Sequence, residues 1–123
     1  MMPDGIKVRK ASREVEFTYQ GTPYCLSFEF LRVYSPSAEV RGHGVGNEVL
    51  QVGKKDVGLM RMEPAGNYAL KLVFEDGHDS GLYDWAYLHH LCQERDRLWQ
   101  EYLDRLAAAG QRREANVINF RAL

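Results

Sequence analysis

DWAYLHHLCQERDRLWQEYLDRLAAAG, residues 84–110, is the stretch on which the fold turns. Trp85, Leu88, Leu91, Cys92, Leu98, Trp99, Tyr102, Leu103 and Leu106 recur at three- and four-residue spacing, which lines them along one face of a helix. Asp84 can cap its first turn, and Gly110 stands where helices end, so the spacing predicts one helix from Asp84 to about Ala109. Gln93, Glu94, Arg97, Gln100, Glu101, Asp104 and Arg105 occupy the opposite face, with Glu101 and Arg105 one turn apart and able to pair. Such a helix is core-forming, because its apolar stripe must be buried against other elements. Trp99 and Tyr102, near the end of the stripe, would form an aromatic patch for a partner if the helix projected past a small sheet.

Upstream the hydrophobic period drops to two. Ile6 and Val8 alternate with basic residues, and Val15, Phe17 and Tyr19 alternate with Glu14, Glu16 and Thr18, the pattern of half-buried strands. Gln20-Gly21-Thr22-Pro23 reads as a turn, with Tyr24 to Phe28 returning as the hairpin partner. Glu29 to Val33 suits a short helical turn that Pro36 ends. Val57 to Glu63 and Tyr68 to Phe74 alternate around Pro64-Ala65-Gly66-Asn67 as a second antiparallel pair. Glu75-Asp76-Gly77-His78 is another turn, after which residues 79–83 continue the sheet or lead into the helix. The expected class is α+β, a small, mainly antiparallel sheet packed against one long C-terminal helix. Residues 1–110 form the domain, and residues 111–123, QRREANVINFRAL, are a tail that frays or docks as an edge segment.

A chain of 123 residues suffices for one modest core. With 45% hydrophobic and 27% charged residues the composition is that of a globular domain rather than a disordered one. A formal charge of −1 gives no electrostatic case for nucleic acid or an anionic membrane. The N-terminal MMPDGIKVRK lacks the apolar run of a signal peptide, and no window is long and apolar enough to span a bilayer, so the expectation is a soluble cytoplasmic protein. Cys25 and Cys92 fall in different expected elements, and two buried, reduced thiols are expected rather than a disulfide.

LRVYSPSAEVRGHG, residues 31–44, and the glycine-rich stretch after it carry the chemical suspects. Gly42-His43-Gly44-Val45-Gly46-Asn47 has asparagine where a dinucleotide fingerprint needs its last glycine, and no helix is expected after it. Gly53-Lys54-Lys55 lacks the upstream glycine and the Ser/Thr of a phosphate-binding loop. Ser35 and Ser37 lie near His43 in sequence, but no nucleophile elbow surrounds them, and turn hydrogen bonds account for them better than acyl transfer does. His89 and His90 point about 100° apart on a helix and cannot both face one metal.

The segments Leu31-Arg32, residues 33–44, Asn67-Tyr68-Ala69-Leu70 and Asp76-Gly77-His78-Asp79 through Trp85-Ala86-Tyr87-Leu88 together resemble a known family. They are similar to small bacterial proteins equivalent to the N-terminal domain of gamma-butyrobetaine hydroxylase and trimethyllysine hydroxylase, over roughly residues 6–106. In the eukaryotic hydroxylases the pattern Leu-Arg-Asp-x-Cys-x-Cys-x-x-Cys, with a later His from Asp-Gly-His, holds a structural zinc. The resemblance places Ser35, Ser37 and Val40 at the cysteine positions and His78 at the histidine, so the metal knot is expected to be absent, with serine hydrogen bonds in its place. Iron and 2-oxoglutarate bind in a separate C-terminal domain of those enzymes, which this sequence does not contain, so no catalysis is expected. Similar domains are also appended to P-loop carriers of iron–sulfur clusters, which implies an accessory role.

The functional expectation is a non-catalytic accessory or protein-interaction domain with a protein partner and no cofactor. Its expected contact loop is Arg32, Ser35, Ser37, Glu39, Arg41 and His43, beside the His78 turn. The alternative is a metal-handling protein, an accessory to iron or iron–sulfur assembly, holding iron or zinc through His43, His78 and nearby carboxylates.

Overall fold

The computed structural model describes residues 1–42 and 48–115. Strands β1 (Gly5–Arg9), β2 (Glu14–Tyr19) and β3 (Thr22–Ser27) form one antiparallel sheet in the order β1-β2-β3. Helices α1 (Phe28–Val33) and α2 (Ala38–Arg41) follow. Strands β4 (Leu59–Ala65), β5 (Ala69–Phe74) and β6 (Leu82–Asp84) make a second antiparallel sheet, and α3 (Trp85–Gln93) and α4 (Arg95–Ala108) complete the elements. The α+β class and the antiparallel pairing are as the sequence indicates. The single sheet is instead two three-stranded sheets that share one core, in which Phe17 and Leu26 meet Phe30, Leu72, Phe74 and Leu88.

The first hairpin turns in two residues, with Tyr19 opposite Thr22 and both Gln20 (φ 50°) and Gly21 (φ 82°) at positive φ. That is the backbone a two-residue hairpin loop with the strands' own twist requires. Pro23 therefore lies within β3 rather than in the turn; β3 is an edge strand, where a missing N–H is tolerated. Val15, Phe17 and Tyr19 are buried as their alternation predicts. Ile6 and Val8 pair beside Phe17 and Val15, yet each is 39% exposed, because β1 is the opposite edge and extends past the core.

The helix expected over residues 84–109 is two helices. Asp84 caps the first through its side chain, which accepts from the Tyr87 N–H at 2.7 Å. At Glu94 the backbone departs from helical values (φ −105°, ψ 15°), which ends α3 before α4 begins at Arg95. The apolar stripe is divided between two clusters. Leu88, Leu91, Cys92 and Leu98 join the main core, whereas Tyr102 and Leu106 pack with Val33 of α1 in a second cluster. Tyr102 is fully buried and Trp99 partly so, so the aromatic patch considered for a partner is used inside the fold. Glu101 pairs with Arg97 at 2.8 Å rather than with Arg105.

Trp85 is only partly buried, and its Nε1–H donates to the Asn67 carbonyl at 2.8 Å. Trp85→Ala is accordingly expected to destabilise by about 2 kcal/mol, below the ~3–5 kcal/mol of a fully buried tryptophan. Arg97→Ala on the solvent face should cost less than about 0.5 kcal/mol. Chemical denaturation ranks the two, and equal midpoints would contradict the placement of Trp85.

Residues 111–115 of the expected tail dock, and residues 116–123 lie outside the described residues. The amides of Gly53 and Lys55 donate to the carbonyls of Arg112 and Arg113 at 3.1 and 3.0 Å. Arg113 reaches Glu29 of α1 with two hydrogen bonds, Nε to Oε2 at 2.9 Å and a second guanidinium N–H to Oε1 at 2.6 Å, while lying 5.0 Å over the Trp99 ring. Both cysteines are free. Cys92 is buried, but Cys25 is exposed, against expectation, because it sits on the outward face of β3 opposite Glu16. Among the described residues no helix is long and apolar enough to cross a membrane.

Candidate functional site

Helix α1 is wholly buried and is capped by the Ser27 hydroxyl, which accepts from the Phe30 N–H at 3.0 Å. Pro36 then forces the chain out of the helix, and Ser37 begins α2. Here the Ser37 hydroxyl makes no cap hydrogen bond and turns to the imidazole of His78. Ser35 Oγ lies 2.7 Å and Ser37 Oγ 3.3 Å from His78 Nε2, while His78 Nδ1 lies 3.4 Å from Glu39 Oε2. The network assigns the tautomer. With Nε2 accepting the Ser35 hydroxyl proton, the ring proton sits on Nδ1, the nitrogen nearer the Glu39 carboxylate. Burial first, and the Arg32 charge second, push the His78 pKa below the usual imidazole value despite Glu39 and Asp76, so the ring is held neutral. Ser35, Ser37 and His78 are all buried. Gly81 closes the knot, since a Cβ there would stand 2.4 Å from Ser35 Oγ.

A second layer holds this turn. Asp76 Oδ1 accepts from the His78 amide at 3.1 Å, and Gly77 takes φ 89°, as a turn of this shape requires. Asp76 Oδ2 accepts from Arg32 Nε at 2.9 Å and from Lys54 Nζ at 2.7 Å, and Arg32 also donates to Gln51 Oε1 at 3.0 Å. Arg32 is thus a buried cation whose charge is met inside the protein. Burial alone would raise the Asp76 pKa, but the hydrogen bonds from Lys54, the His78 amide and Arg32 outweigh it and bring it down to about 2.

Two limbs of acid destabilisation follow. His78 is depressed, so its contribution is complete above the unfolded histidine pKa near ~6.5 and declines as pH falls through that value. Asp76 is depressed as well, so its contribution is complete above ~4 and is lost between about 4 and 2. Allowing for solvent screening, the Asp76 limb should amount to roughly 1–2 kcal/mol. Stability measured from pH 7.5 to 2 should show both limbs. Asp76→Asn should remove the lower one, and an unchanged lower limb in that variant would overturn the assignment.

Of the residues expected to form a contact loop, Arg32, Ser35 and Ser37 face inward, because the His78 and Asp76 side chains draw them there. Glu39 and Arg41 are exposed on α2, with the Arg41 guanidinium 4.5 Å over the Tyr87 ring. His43 and the glycine-rich stretch around it lie outside the described residues. The structure therefore groups the two serines with His78, 41 and 43 residues away in sequence, and supports them with Asp76, Lys54, Gln51 and Gly81. Sequence reading had no signal for Gln51 or Lys54, whose roles arise from contacts across the fold.

The order Ser35–His78–Glu39 has the residue types of an acyl-transfer triad, with a hydrogen bond between the first two and a 3.4 Å contact between the last two. Ser35 Oγ, however, is packed against Gly81, and Ser35 is only 1% exposed, so no substrate carbonyl can approach it in this conformation. Nor does the knot suit a structural zinc, in line with the donor set read from the sequence. Two hydroxyls, an isopropyl group at Val40 and one imidazole do not make a structural zinc donor set. Among the described residues no group of three or more His, Cys, Asp or Glu side chains is placed to hold a metal ion.

Comparison with known proteins agrees with this architecture. Residues 6–89 match the family described as gamma-butyrobetaine hydroxylase-like, N-terminal. Among solved structures, one solution NMR structure is 52% identical, covers 97% of this chain and 94% of its own, and superposes with a TM-score of 0.83. A second NMR structure is 48% identical, covering 97% of this chain and 89% of its own at a TM-score of 0.78. A crystal structure of a protein of unknown function from Acidithiobacillus ferrooxidans, of the DUF971 family, is 34% identical over 73% of this chain and 91% of its own, at a TM-score of 0.60. No curated protein matches. The chain, with its serine–histidine knot, belongs to the gamma-butyrobetaine hydroxylase-like N-terminal domain family.

Proposed function

We propose that this protein is a non-catalytic accessory domain that binds another protein through the exposed side of α2 and the adjoining His78 turn. The observation that supports this is the closure of the knot. Ser35, Ser37 and His78 satisfy one another in the interior, and α2 is held from beneath with Glu39 and Arg41 facing solvent. A polar element held rigid on its inner side can meet a partner at little ordering cost. No group in the knot is both reactive and accessible, which favours recognition over turnover.

The test has two arms. Affinity capture with the wild-type chain should recover a protein that the double variant Glu39→Lys, Arg41→Glu loses, and the purified pair should reproduce that difference in a titration. Equal binding by both forms would move the contact surface elsewhere. The purified chain should also release no succinate from 2-oxoglutarate with a trimethylammonium substrate; heat-sensitive succinate formation above a protein-free control would show the domain to be an enzyme. The metal-handling reading, through His78, carboxylates and His43, predicts about one equivalent of bound iron or zinc in protein purified without chelators, and metal analysis separates it from the accessory reading.

A further inference from the structure

A cleft of about 580 Å³ opens between α2 and α4, reaching Ser35 at the edge of the buried knot. This volume lies within the range of pockets that hold small molecules, about 300–1,000 Å³. Its walls are aromatic and aliphatic. Tyr34, Tyr87 and Tyr102 line it, but each phenol O–H donates to a main-chain carbonyl, those of Leu98 (2.6 Å), Tyr34 (2.6 Å) and Gln51 (2.8 Å). These hydroxyls are committed to the fold; Tyr102 is fully buried behind the wall, and what the half-buried Tyr34 and Tyr87 offer an occupant is mainly ring surface.

The lining carries two arginines, Arg41 and Arg105, and two glutamates, Glu48 and Glu101. Arg41 and Arg105 both line the cleft, and among the described residues neither lies within ion-pair distance of a carboxylate. Glu101 is paired with Arg97 at 2.8 Å, whereas Glu48, Arg41 and Arg105 are all solvent-exposed and screened by water alike, which leaves two guanidiniums and one carboxylate on the lining free of ion pairs among the described residues. Arg41 is steadied by the Tyr87 ring 4.5 Å beneath it. Two guanidiniums that make no ion pair among the described residues, over ring and aliphatic surface, match a group of opposite charge joined to an apolar body. We infer that this cleft binds a small apolar carboxylic acid, with the carboxylate at Arg41 and Arg105 and the hydrocarbon among the tyrosine rings. This site shares Arg41 with the partner surface proposed above, but the titration below uses the chain and a small acid alone and Arg105 lies outside that surface, so the two readings fail separately.

The experiment uses the full chain, isotope-labelled and titrated with 4-phenylbutanoate, against the neutral 4-phenylbutanamide of the same shape. The acid should give saturable shifts centred on Arg41, Tyr87 and Leu98, with the amide at least about tenfold weaker. Arg41→Gln and Arg105→Gln should each weaken the acid by about fivefold. Glu101→Gln, which removes a negative charge from the wall, should tighten it by about threefold. That gain of affinity cannot come from damage to the fold. The inference is overturned if acid and amide bind equally, if the shifts centre elsewhere, if the acid gives no saturable shift, or if the three variants leave its affinity unchanged.

Discussion

The triple variant Ser35→Cys, Ser37→Cys, Val40→Cys is expected to bind one zinc ion per chain, whereas the natural protein should purify without stoichiometric zinc. Ser35 Oγ and Ser37 Oγ already lie 2.7 and 3.3 Å from His78 Nε2, so the loop brings two of the three substituted positions to the imidazole. Zinc needs thiolates at about 2.3 Å and the imidazole at about 2.0–2.1 Å, so the side chains must part by roughly 1 Å to admit the ion. Glu39 Oε2, 3.4 Å from Nδ1, is placed to hold the ring with Nε2 toward the metal, as carboxylates behind metal-bound histidines do. Structural zinc sites of this donor set release on the order of 10 kcal/mol on binding, so added metal should raise the melting temperature by many degrees. Adding His78→Ala to the triple variant should abolish that gain, and Glu39→Gln should weaken it by about tenfold. Zinc found in the natural protein, or a triple variant that binds none, would overturn this reading of the loop.

Arg113→Ala should destabilise the protein by about 2–4 kcal/mol, although residue 113 lies beyond the last helix. Its guanidinium makes both hydrogen bonds to Glu29, which is 5% exposed and has no other cation in ion-pair contact among the described residues. Removing one partner of a buried pair leaves the other charge uncompensated, a loss of about 3–5 kcal/mol in a closed interior. The Arg113 side chain is 33% exposed, so water can partly replace it, which sets the lower end of the expected range. Glu29→Gln in the same chain should recover most of the loss, because an amide is far less costly to bury than a carboxylate. Denaturation of the two single variants and the double variant measures the coupling. An Arg113→Ala midpoint within about 0.5 kcal/mol of the natural protein would mean that the docked tail does not carry Glu29's charge.

The two predictions differ in how visible their residues are in the sequence. Ser35, Ser37, Val40 and His78 stand out because a motif relates them to a ligand pattern. Glu29 and Arg113 belong to no motif, and their pairing across 84 residues depends on α4 delivering the tail to segment 53–55. The same holds for Arg32, which looks like a surface cation beside a turn and is in fact buried against Asp76. A charged residue's burial is set by what reaches it from elsewhere, and local pattern does not record that.

Periodicity and local chemistry determined much by themselves. The alternation in Glu14–Tyr19, the hairpin at Gln20-Gly21, the Asp84 cap and the buried positions Leu88, Leu91 and Leu98 follow from spacing, because burying one face of a strand or helix obliges apolar residues to recur at its period. Tertiary structure alone decided that the strands divide into two sheets, that Glu94 breaks the long helix, and that Ile6 and Val8 lie at an exposed edge. It also decided that Ser35 and Ser37 serve His78 rather than facing solvent, and that Arg41 and Arg105 are left beside a cleft. The reason is physical. A hydrophobic period reports which face of an element is buried, whereas the identity of the covering partner depends on loop closure and packing among distant segments.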